Sequence, residues 1–151
     1  MDFLLWAARS LHLFAVVVWL GGLLYQAAVT LPVARVEQRE LAESSLHLLR
    51  RFQPFVWMCV WTILVTGVAL MLFNPRFVLF RYDDRWSVML GLKQLTFVIM
   101  VFYSFGYARM LRMVDLSERA EERQMSYKRM LQFGKFNVAL GIIAMLLAAG
   151  L

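Results

Sequence analysis

Polarity along the chain alternates between four long apolar runs and three charged linkers. The first run, Phe3 to Leu31, carries one arginine and one histidine within otherwise apolar surroundings. A hydrocarbon core about 30 Å thick is crossed by about 20 residues of helix, and this run exceeds that length. Pro32 is placed to end or kink its last turn. The second run, Phe52 to Phe73, is closed by Asn74 and Pro75, with Pro54 expected in its first turn, where a missing amide costs least. The third, residues 87–107, is interrupted by Lys93. The fourth, residues 134–151, is short for a span. The pattern predicts an all-α polytopic membrane protein: a four-transmembrane-helix bundle forming one domain over residues 1–151.

The linkers refine that picture. Leu41, Leu46 and Leu49 recur at helical spacing within the charged stretch 33–51, which predicts an interfacial helix there. Residues 108–133 are rich in charges and helix formers, which predicts a solvated extension of the third helix, with Glu118 and Glu122 pairing to basic neighbours one turn away. Tyr82 and Trp86 read as interface anchors.

Composition removes several function classes. The chain is 62% hydrophobic with a net charge of +6. The basic residues lie between the apolar runs, a distribution that suits anionic headgroups and membrane orientation, so no nucleic-acid partner is expected. The first and third linkers hold most of the arginine and lysine. The positive-inside rule therefore places them in the cytoplasm and both termini outside, in a bacterial inner membrane. Met1 and Asp2 supply no basic leader, so the first helix is expected to be retained. Cys59 is the only cysteine, which leaves no disulfide framework. There is no glycine-rich phosphate loop and no pair of membrane carboxylates, which disfavours a pump built on buried acids.

The candidate chemistry gathers in the outer half of the bundle. Arg9 and His12 are three positions apart and share a helical face, expected to look inward. At 1.5 Å per residue, His12 and Lys93 both reach roughly 10–15 Å from the outer side, level with Thr66 and Gly67. A neutral imidazole in an apolar bundle is a natural axial ligand for haem iron; the plain alternative is a core histidine bonded to a neighbouring hydroxyl. Lys93 and Arg9 offer cations for a porphyrin propionate or a quinone oxygen, against the alternative that Lys93 snorkels to the interface. Trp19, two turns past His12, would flank a cavity beneath it. Gly22 allows close approach and joins His12, Arg9, Lys93, Trp19 and Thr66 as a cofactor-binding candidate. His47 belongs to the opposite side and cannot share an iron with His12. Arg51 and Asn137 are expected near the inner surface, at adjacent ends of the second and fourth helices. The ten methionines suit Cu(I) by type, but they are scattered and read mostly as packing residues.

These residues also carry a resemblance. Trp6-Ala7-Ala8-Arg9-Ser10-Leu11-His12, Trp19-Leu20-Gly21-Gly22-Leu23-Leu24-Tyr25, Arg50-Arg51-Phe52 with Thr66-Gly67, Leu92-Lys93, and Phe136-Asn137 with Gly141 resemble the four-helix membrane proteins related to copper-resistance protein D and to bacterial membrane protoporphyrinogen oxidase. The resemblance implies haem b at His12, a propionate or substrate contact at Lys93 and a functional role for Arg51. The expected function is thus a b-type haem-binding membrane protein in electron transfer or redox chemistry, as a homo-oligomer or as a subunit of a larger complex. The alternatives are protoporphyrinogen IX oxidation and a noncatalytic structural or copper-handling role.

Overall fold

The helices match the apolar runs in number but not in extent. The computed structural model describes residues 2–30, 32, 39–74, 85–116 and 119–149. The expected anchor Tyr82, Glu118 and the other residues of the linkers at 33–38 and 75–84 lie outside that set. Helix α1 spans Asp2–Tyr25 and continues as a π-helical turn over Gln26–Thr30. The widened turn directly precedes Pro32, whose missing amide interrupts the normal ladder, and single π turns are a common way to absorb such an interruption. Helix α2 spans Arg39–Leu72, α3 spans Arg85–Leu116 and α4 spans Ala120–Ala149. All four are long and apolar enough to cross a membrane, and among the described residues there is no strand. The protein is a four-helix membrane bundle.

Two expectations need correcting. The interfacial helix and the second span are one continuous α2 of 34 residues, so Pro54 lies well inside the helix and not in its first turn. A helix of that length is about 50 Å long, against about 30 Å of hydrocarbon, so its first turns stand outside the apolar layer. The change in polarity at Phe52 marks where the membrane begins, and the backbone has no reason to break there. Pro54 sits just past this boundary, where interfacial polar groups limit the cost of its missing amide.

The second correction concerns the charged stretch after residue 107. It is not a single solvated extension: α3 ends at Leu116, and a separate helix, α4, begins at Ala120 and packs along it. Leu111 and Val114 on α3 pack with Met130 on α4 and with Leu46 and Leu49 on α2, and Val114 and Met130 are fully buried. The apolar positions in the charged segments thus make a small buried core of their own. Arg123 Nε donates to the Val114 carbonyl at 3.3 Å, satisfying an acceptor near the end of α3. Glu122 does find a partner in Arg119 at 3.6 Å, but both side chains are exposed and such pairs contribute little.

α1 packs chiefly along α2 and α3 along α4, giving two helical hairpins. A second core joins them. Trp19 is 2% exposed among Ala15, Leu23, Val56, Val60, Ile63 and Met100, with the ring of Phe97 edge-on at 6.0 Å. Glycines set the close contacts. A Cβ at Gly22 would fall 2.0 Å from the Phe52 ring, and one at Gly67 would fall 3.3 Å from His12 Cε1. The second of these brings the imidazole against α2.

Candidate functional site

The Thr66 hydroxyl determines what His12 can do. Thr66 donates back to the carbonyl of Thr62 within its own helix, as threonines in apolar helices do. Its single proton is thereby used, and its oxygen can only accept from the imidazole. His12 Nδ1 lies 2.9 Å away, and the tautomer that matches this acceptor is the one in which Nδ1 carries the proton and donates; the Ile63 carbonyl is a further acceptor facing the ring. Nε2 then holds the lone pair. A ring nitrogen bonded to a protein acceptor, with the other nitrogen left basic, is how proteins orient histidines that ligate metals. Gly67 packs against the ring from the same helix and helps to fix its plane.

α3 supplies the rest of the cluster. Lys93 is half-buried on α3. Its neighbour Gln94 donates from Nε2 to the sulfur of Met71 on α2 at 2.9 Å. Met89 lies one turn before Lys93, on the same side of α3. One end of the membrane bundle thus carries an imidazole on α1, a thioether on α2 and an ammonium on α3. The common depth of His12 and Lys93 follows from helix rise along the sequence. The Gln94–Met71 contact has no motif; its one signal is that Gln94 follows Lys93.

The other candidates are distributed differently. Arg9 is exposed, so the shared inward face applies to His12 and not to Arg9. A long guanidinium side chain this near the helix end lowers its cost by reaching toward the interface. Trp19 does not border open space: its indole is part of the central core. At Gly22 the room is taken by the Phe52 ring. Arg51 and Asn137 are not brought together. Asn137 is 1% exposed and donates from Nδ2 to Ser104 Oγ at 2.9 Å, linking α4 to α3. Arg51 is exposed and, with His47 and Arg50, lines a shallow open recess of about 400 Å³ on α2. Among the described residues no three histidine, cysteine, aspartate or glutamate side chains come together as a metal site. Any metal here would draw on the imidazole and on sulfur.

Fold and site together define a polytopic four-helix membrane protein with one oriented imidazole inside the bundle. The chain belongs to the copper resistance protein D family, whose model matches residues 46–151, more than two thirds of its length. No curated protein and no solved structure matches it.

Proposed function

We propose that the chain handles copper within the membrane, taking Cu(I) as cargo at the Nε2 lone pair of His12. The observation that carries this reading is the Thr66–His12 hydrogen bond, which leaves one nitrogen basic and oriented. Two further points support it. Imidazole and thioether are the neutral donors Cu(I) prefers, and Met71 follows Thr66, the partner of the imidazole, by five residues on α2. The family is described by copper resistance. The matched residues 46–151 include Thr66 and Met71 and begin after His12.

One observation favours a second reading. Lys93 puts a half-buried ammonium on α3 within the membrane-spanning part of the bundle, which suits a ligand with anionic groups better than a bare metal ion. Haem b fits that description. His12 Nε2 would be its axial ligand and Lys93 a propionate contact, and the haem would supply redox chemistry for electron transfer or for protoporphyrinogen oxidation.

A single preparation separates the two. Protein purified from copper- and haem-replete membranes is assayed for copper and for an absorption spectrum with pyridine extraction. The copper reading expects about one copper per chain and no haem band. A haem band without copper selects the second reading, and protein carrying neither rejects both.

A further inference from the structure

We propose that His47, Arg50 and Arg51 bind the phosphate headgroup of an anionic phospholipid in the leaflet that meets the first half of α2. Positions 47, 50 and 51 are one turn apart on a helix and therefore lie on one face. The three side chains line a recess of about 400 Å³. It is open rather than enclosed, so a headgroup can enter it from the side while its lipid stays in the leaflet. Arginine presents a fork of donors that matches phosphate oxygens, and two successive arginines with a histidine one turn away surround a phosphodiester from two sides.

The depth of the recess selects a lipid over a soluble phosphate. The unbroken apolar part of α2 begins at Phe52, directly after Arg51. Phe55, one turn past Arg51, is 49% exposed, and Met58 beyond it is 59% exposed. One side of α2 thus runs from cations to exposed apolar surface within a single turn, the order in which a lipid runs from phosphate to acyl chain. A free phosphate or a nucleic acid would use the cations and leave the apolar side chains without a role. Basic clusters where helices leave the membrane are known headgroup sites on general electrostatic grounds. The site is independent of the copper reading, because it lies at the other end of α2 from Thr66.

The test uses the full chain in phosphatidylcholine vesicles containing phosphatidylglycerol, extracted gently and read by native mass spectrometry. Phosphatidylglycerol should remain on the wild-type chain in preference to phosphatidylcholine. In Arg50→Gln/Arg51→Gln the preference should fall about thirtyfold, the order expected for two cations near an anionic surface. Arg85→Gln, which removes an exposed arginine at the start of α3, should behave as wild type. If the double variant fails to insert, Arg51→Gln alone should show an intermediate loss. Three results would overturn the proposal: no preference in the wild type, an unchanged preference in the Arg51 variants, or displacement of the lipid by inorganic phosphate alone.

Discussion

An imidazole inside a bilayer has two nitrogens to accommodate, and in this chain Thr66 takes only one of them. Because the Thr66 proton is already committed to Thr62, the hydroxyl works as an acceptor and selects the Nδ1–H tautomer of His12. The prediction at this scale is specific. Thr66→Val keeps the side-chain shape and removes the acceptor, so copper affinity should fall about 10- to 100-fold, as when the outer partner of a ligating histidine is lost. Thr66→Ser restores the hydroxyl and should bind nearly as wild type. Equal affinity in all three, measured by competition with a Cu(I) chelator, would mean that the hydroxyl does not orient the ligand. His12, Lys93 and Thr66 were legible in the sequence because a polar residue in an apolar run announces itself and helix rise converts position into depth. The departure of Arg9 was not legible, since a long side chain near a helix end can turn either way along the membrane normal.

Between helices, the close contacts are made at glycines and differ in how much their neighbours can yield. At Gly22 an added methyl meets the ring of Phe52 at 2.0 and 2.4 Å; at Gly141 it meets a terminal methyl of Leu20 at 2.1 Å. A leucine methyl can rotate away, whereas the aromatic ring must move as a rigid unit. Gly22→Ala should therefore cost more stability than Gly141→Ala, by about 1–3 kcal/mol, the usual range for overpacking. Reversible unfolding in detergent, or helix-association assays, would check the order; a larger loss at Gly141 would contradict the packing described for α1 and α2. The number of helices was readable from the sequence because hydrocarbon demands unbroken apolar length. Their ends were not, because a helix carries its backbone bonds across the polar boundary without interruption. The buried pairing of Val114 with Met130 escaped notice for a related reason: sparse apolar residues within a charged stretch resemble a solvated face until a second helix is laid against them.

For the molecule as a whole, the two hairpins enclose a copper-binding candidate near one membrane face and a cationic recess near the other. Which face is which follows from the charge bias: arginine and lysine are concentrated in the polar stretches 33–51 and 108–135, which include the start of α2, the end of α3 and the start of α4, so that end of the bundle should be cytoplasmic. Alkaline phosphatase fused at either terminus should be active, and a fluorescent protein at the same places should be dark. The reverse pattern would invert the bundle, putting the His12 cluster near the cytoplasm and the lipid recess on the outer leaflet. With both termini outside, copper would reach His12 from the outer side through roughly 10–15 Å of bundle.

The reading of the whole molecule depends on Nε2 of His12 being a ligand atom. The most direct measurement is an equilibrium Cu(I) titration of the purified full chain beside its His12→Ala variant, with a chelator of known affinity as competitor. One high-affinity site in the wild type, absent from a variant that still inserts and folds, is the predicted result. Unchanged affinity in His12→Ala would contradict it.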